Sequence, residues 1–224
     1  MRIGGFQKLT LVDFPGKVAA TVFVQGCNFR CGFCHNPELV DPRLFQKPLF
    51  VQEILNYLRN HLGKLQGVVI TGGEPTVQEG LADFIVELKN MGFAVKLDTN
   101  GSQPEVLRSL LERHLIDYVA MDIKSSLGKY PHVTATDWDT DKIKESIDCI
   151  VHSGIPYQFR TTLVKEFCSH EDLSDIQHLI EQANHYVLQP FVLAPKMVDP
   201  RFNQQSQYTA AEIELLKTQF EKPR

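Results

Sequence analysis

The sequence predicts an α/β fold in which parallel strands are joined by helices. Short runs of apolar and β-branched residues alternate along the chain with longer stretches of helical spacing. Strands that alternate with helices pair in parallel through right-handed crossovers. Polar residues also gather directly after the apolar runs, at the edge where parallel α/β folds bind their ligands.

Six strands follow from this pattern, each a short run centred on apolar or β-branched residues. They cover residues 18–25, 67–71, 94–98, 117–122, 157–164 and 186–192. Six units are too few to close an eight-stranded barrel. The pattern therefore leaves two architectures open, a flat doubly wound sheet and an open barrel with about three quarters of the usual strands.

Six helices separate or follow these strands, and each has the spacing of an amphipathic helix. The first places Ile54, Leu55 and Leu58 on one face. The last is preceded by Thr209, a residue type that caps helix N-termini. The predicted helices cover residues 50–61, 77–91, 104–113, 141–152, 171–183 and 210–220.

The length of 224 residues indicates a single domain, with a lead-in segment at 1–17, a barrel-forming part at 18–192, and a connection and helix at 193–224. A net charge of −4 without a basic run argues against nucleic acid as a partner. No apolar run is long enough to span a membrane, and the first residues lack the apolar core of a secretion signal. We therefore expect a cytoplasmic protein whose five cysteines are reduced.

Three cysteines within eight residues, Cys27, Cys31 and Cys34, directly follow the first predicted strand. Closed structural metal sites take four protein ligands, whereas sites that carry out chemistry leave one position open. Cysteine thiolates are also the usual ligands of iron–sulfur clusters. Three thiolates on a four-iron cluster would leave one iron free to bind another molecule.

The same cysteines also fit other kinds of metal, haem or redox site. Cys31, Cys34 and His35 match the pattern of c-type haem attachment, and the two cysteines alone match a thioredoxin-like redox pair. Both alternatives leave Cys27 unused. Zinc on the three cysteines and His35 would need adjacent residues to reach one ion, which strains the chain. The iron–sulfur interpretation uses all three thiols, and the strand-then-loop context favours it.

Polar residues at the strand ends are expected to converge on one cleft with the cysteines. Each has a simpler structural explanation: a tight turn for Gly72-Gly73 and for Asn100-Gly101, a helix-start carboxylate for Glu74, and an ion pair for Asp122 with Lys124. The residues expected in the cleft, besides the cysteines, are those of 71–75 and 98–101, Asp122, Lys124, Arg160 and the strand end near Gln189. The remaining cysteines, Cys149 and Cys168, are interpreted as small apolar residues.

The cysteine spacing, Phe33 before the last cysteine, and the run Gly72-Gly73-Glu74-Pro75 together resemble the radical S-adenosylmethionine superfamily. The resemblance extends from about Leu11 to the sixth strand. It implies the second of the two architectures, an α/β fold with a partial (β/α)6 TIM-like barrel.

Within that superfamily the chain is similar to the glycyl-radical-enzyme activating proteins, above all to those of anaerobic ribonucleoside-triphosphate reductase. The similarity lies in the segments 12–16, 25–31, 34–37, 98–101 and 122–124. Two features depart from many of these proteins: Phe14 stands where they have glycine, and the chain has no added cysteine pairs for further clusters. Both departures favour the reductase activators.

The resemblance implies an activity, cofactors and partners. The protein would reductively cleave S-adenosylmethionine to a 5′-deoxyadenosyl radical and generate a glycyl radical on the reductase, with flavodoxin or ferredoxin as electron donor. The implied [4Fe-4S] ligands are Cys27, Cys31 and Cys34. The residues implied to bind S-adenosylmethionine are Phe33, Gly72, Gly73, Glu74, Asn100 and Arg160, and those implied to bind a monovalent cation are Asp98, Thr99 and Asp122.

Two other functions stay open at this stage. One is a radical enzyme acting on a small molecule, similar to 7-carboxy-7-deazaguanine synthase. The other is a non-catalytic iron–sulfur or zinc protein.

Overall fold

The computed structural model describes residues 1–202 and 206–222, and its centre is a seven-stranded sheet in the order β1 to β7. The strands are β1 Ile3–Thr10, β2 Ala19–Val24, β3 Gly67–Gly72, β4 Ala94–Thr99, β5 Tyr118–Asp122, β6 Tyr157–Leu163 and β7 Tyr186–Pro190. β1 pairs with β2 in antiparallel orientation, and every later neighbour is parallel. β1 and the turn that follows it occupy the segment 1–17, which was expected to lead into the barrel.

Helices follow the strands as the alternating pattern predicts. They are α1 Pro37–Val40, α2 Val51–Arg59, α3 Leu81–Asn90, α4 Pro104–Glu112, α5 Tyr130–Thr134, α6 Asp141–Val151, α7 His170–Leu179 and α8 Ala210–Phe220. The short helices α1 and α5 were not predicted, because four or five residues give no helical periodicity to read. The side chains of Ser169 and Thr209 cap α7 and α8, each through a reciprocal capping box.

The strand order decides between the two architectures. A doubly wound sheet reverses its strand order at a switch point, whereas this sheet runs from β1 to β7 in sequence order. Sequential parallel strands with right-handed crossovers keep all helices on one face, and the sheet curls around the other. The fold is therefore a partial α/β barrel, as expected.

Alternate residues of the strands face two different cores, because successive side chains point to opposite sides of a sheet. The outer face, with Val68 and Ile70 of β3, packs against the helices in one large apolar cluster. The inner face forms a small apolar floor at the amino ends of the strands, built from Phe14, Ala19, Val69, Tyr118 and Ala120. Above that floor the inner face becomes polar.

The other differences from the sequence prediction lie at element ends. The last strand ends at Pro190 rather than at 192, and α3 begins at Leu81 after a short 3₁₀ turn over Pro75–Val77. Parts of the predicted C-terminal connection, residues 203–205, and of the chain end, 223–224, lie outside the described residues. The assignment of 1–224 to one domain stays a prediction. Among the described helices, none has the length and apolar character needed to cross a bilayer.

Candidate active site

A cavity of about 260 Å³ opens beyond the carboxyl ends of the parallel strands. Every residue that the sequence singled out for the cluster, the cosubstrate or the cation lines it. These residues are Cys27, Cys31, Phe33, Cys34, Gly72, Gly73, Glu74, Asp98, Thr99, Asn100, Asp122 and Arg160, and Lys124 joins them. Their convergence follows from the topology, since parallel strands end at the same edge of the sheet.

The cysteine loop follows β2, and the Arg30 side chain stabilises its turn through hydrogen bonds. The Arg30 guanidinium donates to the carbonyl oxygens of Cys27 at 2.5 Å and Phe29 at 2.8 Å. Burial raises the pKa of the Cys27 thiol to about 12 and that of Cys31 to about 11, and it also raises the pKa of Cys34. The three groups are therefore neutral thiols until a metal displaces their protons.

Over the described residues, no three histidine, cysteine or carboxylate side chains converge on the position of a single metal ion. A four-iron cluster places each thiolate on a different iron. The three sulfur atoms therefore need to face one cavity but need not meet at one point. Their placement around this cavity suits a cluster of several irons.

Two glycines bring the loop after β3 against the start of the cysteine loop. The Gly73 amide donates to the Val24 carbonyl oxygen and the Glu74 amide to that of Gly26, both at 2.8 Å. A Cβ on Gly72 would lie 2.6 Å from the Val24 amide nitrogen, and one on Gly73 would lie 2.7 Å from the Gly26 carbonyl carbon. These glycines permit close packing of the protein's own backbone.

Glu74 is 1% exposed and ties two loops of the site together. Its Oε1 accepts from the Thr76 amide at 3.1 Å and from the hydroxyls of Thr76 at 2.5 Å and Thr99 at 2.7 Å. Its Oε2 accepts from the Asn100 amide at 2.6 Å. Burial raises the pKa of the Glu74 carboxyl, while these hydrogen bonds act in the opposite direction. Glu74 thus combines the predicted helix-start role, on the turn that begins at Pro75, with a link to the loop after β4.

Asn100 connects the loop after β4 to the cysteine loop. Its Nδ2 donates to the Asn28 side chain at 3.0 Å and lies 3.9 Å from the Cys27 sulfur. Its Oδ1 accepts from the Ser102 amide at 2.9 Å, which is the turn expected from the sequence. The side chain is therefore fixed on both sides.

The polar inner face of the barrel carries a chain of charges. The Asp122 carboxylate accepts from Arg160 Nε at 2.7 Å and from Lys124 Nζ at 3.1 Å, and Arg160 Nη1 lies 3.5 Å from Asp98 Oδ2. Burial alone would raise the pKa of Asp122, but Arg160 and Lys124 outweigh it and hold that pKa below its ordinary value. Burial would lower the pKa of Lys124, yet Asp122 raises it. Asp122, Lys124 and Arg160 are therefore charged at neutral pH.

An aromatic cluster shields the outer side of the cysteine loop. The Phe33 ring packs against Phe167, Phe191 and Phe202, with ring centroids 6.0 to 6.4 Å apart. The segment that carries Phe202 also forms backbone hydrogen bonds with the loop, from the amides of Val198 and Asp199 to the carbonyl oxygens of Cys34 and Gly32. Residues 198–202 of the C-terminal connection therefore cover the cysteine loop.

Two residues of the strand ends differ from the sequence prediction: Thr162 lines the cavity without having been predicted, and Gln189 was predicted but does not line it. Thr162 lines the cavity two residues beyond Arg160 on the same strand face, so the alternation along β6 could have found it. Gln189, expected in the cleft, faces the same side of the sheet as Thr162 but is exposed and does not line this cavity, since β7 is the last strand of the described sheet. Cys149 lies on α6, and the buried Cys168 thiol donates a hydrogen bond to the Thr162 carbonyl oxygen.

A sequence model of the radical SAM superfamily matches residues 21–180. A Methanocaldococcus jannaschii protein, MJ1227, named provisionally as a glycyl-radical enzyme activating enzyme, is 34% identical over 84% of this chain and 79% of its own length. The pyruvate formate-lyase-activating enzyme of Clostridium pasteurianum is 34% identical over 55% of this chain and 52% of its own length. A Thermococcus kodakarensis 7-carboxy-7-deazaguanine synthase is 26% identical over 80% of this chain and 74% of its own length.

Among solved structures, Streptococcus suis SuiB bound to S-adenosylmethionine has the same fold over this region. It superposes with a TM-score of 0.69 at 15% identity, covering 88% of this chain and 44% of SuiB. At that identity the likeness concerns the fold alone.

Proposed function

Since the chain belongs to the radical SAM superfamily, among the glycyl-radical enzyme activating enzymes, we propose that it installs a glycyl radical on anaerobic ribonucleoside-triphosphate reductase. The enzyme is a radical SAM oxidoreductase that uses a [4Fe-4S] cluster and S-adenosylmethionine. The observation that carries the proposal is the convergence of the three thiols and the charged residues on one cavity.

The donor set fits the cluster. Cys27, Cys31 and Cys34 supply three soft thiolates, the ligand type that iron–sulfur clusters take, from one short loop. They would hold three of the four irons and leave the fourth open to the cosubstrate. Once bound and reduced by the electron donor, the cluster would supply the one electron needed to cleave S-adenosylmethionine to methionine and a 5′-deoxyadenosyl radical.

The surrounding residues bind and orient the cosubstrate in this proposal. Glu74 keeps one acceptor position on Oε2 beyond its bond to the Asn100 amide, and that position suits the amino group of S-adenosylmethionine. Arg160 and Lys124 line the same cavity as cations, which suits the carboxylate. We propose that the backbone near Phe33 contacts the adenine and that the aromatic cluster behind it keeps water from the site.

The partner must present a glycine to this cavity. The described residues form no ladder between β1 and β7, so the barrel wall is open on that side. An open wall suits a loop offered by a large protein, whose glycine Cα would give up a hydrogen atom and leave 5′-deoxyadenosine as product. Flavodoxin or ferredoxin is the proposed electron donor.

The likeness to a 7-carboxy-7-deazaguanine synthase over 80% of the chain favours one further candidate, a radical enzyme acting on a small purine-like substrate. The relative MJ1227 matches a similar share of the chain at higher identity, which is why we place the activating function first. The two candidates differ in product, a radical on a protein or a modified small molecule.

The decisive experiment is anaerobic incubation of the reconstituted protein with the reductase, S-adenosylmethionine and a reductant. We expect a glycyl-radical doublet in the electron paramagnetic resonance spectrum and 5′-deoxyadenosine in the solution. Cys31→Ala should abolish both, because it removes one of the three cluster ligands.

The matched control is Cys149→Ala, which removes a thiol on α6, away from the cavity, and should retain full activity. Undiminished 5′-deoxyadenosine formation by Cys31→Ala would refute the cluster assignment. Formation of 5′-deoxyadenosine without any radical on the reductase would move the assignment to another substrate.

A further inference from the structure

A lysine is buried inside the barrel, below the cavity. Lys96 is 3% exposed and lies on the inner face of β4, between Val69 of β3 and Tyr118 of β5. Its ammonium forms an ion pair with Asp98 and lies 5.9 Å from the centre of the Tyr118 ring. Burying a lysine is costly unless the charge is paired, so Asp98 is what permits this position.

Lys96 begins a chain of alternating charges that ends at the cysteine loop. The order is Lys96, Asp98, Arg160, Asp122 and Lys124. Each of the four carboxylate oxygens of the two aspartates has a cationic partner: Lys96 and Arg160 for Asp98, Arg160 and Lys124 for Asp122. Three cations thus neutralise two carboxylates without any added ion.

This arrangement does not fit the monovalent cation that the resemblance implies at Asp98, Thr99 and Asp122. A metal ion there would compete for carboxylate oxygens that already contact ammonium and guanidinium groups, and like charges would repel it. The third expected ligand is also engaged. The Thr99 hydroxyl donates to Glu74 at 2.7 Å and accepts from the Gly101 amide at 3.1 Å.

We propose that the Lys96 ammonium is the built-in counter-ion of Asp98 and replaces a bound monovalent metal ion in this protein. Lys96 is a positioning residue: it fixes Asp98, and Asp98 together with Asp122 holds the Arg160 guanidinium at the wall of the cavity. Without Lys96, one Asp98 oxygen loses its partner and the carboxylate can turn toward Arg160. The inference rests on the proposed role of Arg160 in binding S-adenosylmethionine.

The test measures binding of S-adenosylmethionine to the anaerobic cluster-loaded protein by calorimetry, in potassium, sodium and choline chloride at equal ionic strength. Choline is too large to enter a metal-ion site. We expect the wild-type affinity to be the same in all three salts. Lys96→Met keeps an unbranched side chain, one atom shorter, and removes the charge. In choline this variant should bind S-adenosylmethionine roughly tenfold more weakly, the cost of one lost charge-assisted hydrogen bond.

Potassium or sodium should restore much of the affinity of Lys96→Met, because a metal ion can then take the place of the ammonium beside Asp98. A merely structural role for Lys96 would not produce this salt-specific rescue. Lys96→Arg, which retains a cation, should show no dependence on the metal ion.

Two results overturn the proposal: a wild-type affinity that falls when potassium and sodium are withheld, or a Lys96→Met affinity in choline equal to that of the wild type. The first needs no variant, so the proposal stays testable even if Lys96→Met does not fold. Wild-type protein that binds no S-adenosylmethionine in any salt would instead contradict the proposed function.

Discussion

Gly73 is the point where the loop after β3 touches the cysteine loop, and its replacement by alanine tests that contact. The added methyl group would lie 2.7 Å from the Gly26 carbonyl carbon and 3.1 Å from the Leu39 carbonyl oxygen, and closer still to the Gly26 oxygen. All are backbone atoms, which cannot rotate aside. Gly73 has no positive φ, so alanine is acceptable to its backbone and the effect isolates the close approach.

The magnitude follows from these distances. Carbon atoms pack favourably at about 3.5–4.0 Å, so the backbone at Gly73 or Gly26 must move by about 1 Å. Overpacking of this kind costs about 1–3 kcal/mol. For a domain of this size that corresponds to a fall in melting temperature of about 2–12 °C. Because the Glu74 amide bonds to the Gly26 carbonyl oxygen, the same movement displaces Glu74 and the start of the cysteine loop.

The assay compares Gly73→Ala with Gly128→Ala. A Cβ on Gly128 meets nothing within 4 Å, so this variant adds the same methyl group at a permissive position. We expect Gly73→Ala alone to unfold at lower temperature, and to retain less iron and sulfide after anaerobic reconstitution. Equal melting temperatures and equal cluster contents in the two variants would show that the loops do not need this contact.

Two further predictions concern the carboxylates of the site. In Glu74→Gln the amide NH₂ must face a hydrogen-bond donor, such as the Asn100 amide, from which the carboxylate now accepts. The variant should therefore lose about 1–3 kcal/mol of stability and bind S-adenosylmethionine more weakly while keeping its cluster. An unchanged melting temperature and affinity would show that Glu74 is only a turn residue. Asp122→Asn removes the negative partner of Lys124 and leaves Arg160 with Asp98 alone, so it should cost about 3 kcal/mol at pH 7 by urea unfolding. Because folding lowers the pKa of Asp122, its carboxylate stabilises the protein at neutral pH and loses that effect progressively as the pH falls below about 4. The difference in unfolding free energy between variant and wild type should therefore narrow at pH 3. A difference independent of pH would contradict the role of the Asp122 charge.

The site could be predicted from the sequence because its position depends on topology rather than on detailed packing. Residues at the end of a parallel strand or just after it must lie at the carboxyl edge of the sheet, and Cys27, Glu74 and Asp98 all meet that condition. The same rule predicted Gln189 in the cleft, but Gln189 lies on an edge strand with a neighbour on one side only, and it does not line the cavity.

The sequence pattern alone did not predict the curvature of the sheet. Alternation along a strand indicates two faces but not which of them becomes the inside of a barrel, so the resemblance and not the periodicity predicted the architecture. Lys96 shows the consequence. In a flat doubly wound sheet helices would cover both faces of this strand, whereas the curled sheet encloses Lys96 together with Asp98 on its inner face. The sequence pattern likewise gave no sign that Arg160 would bridge two aspartates.

Glu74 shows that a structural and a functional role need not exclude each other. As a turn residue it accepts from the Thr76 amide, and this bond alone would account for a carboxylate at the start of a helical turn. Yet its second oxygen reaches the Asn100 amide on the next strand's loop, and Asn100 in turn reaches the cysteine loop. A charge that only capped a turn could lie in water at lower cost. Its complete burial is explained if the carboxylate must hold the loops after β3 and β4 together and, through Asn100, fix the cysteine loop as well.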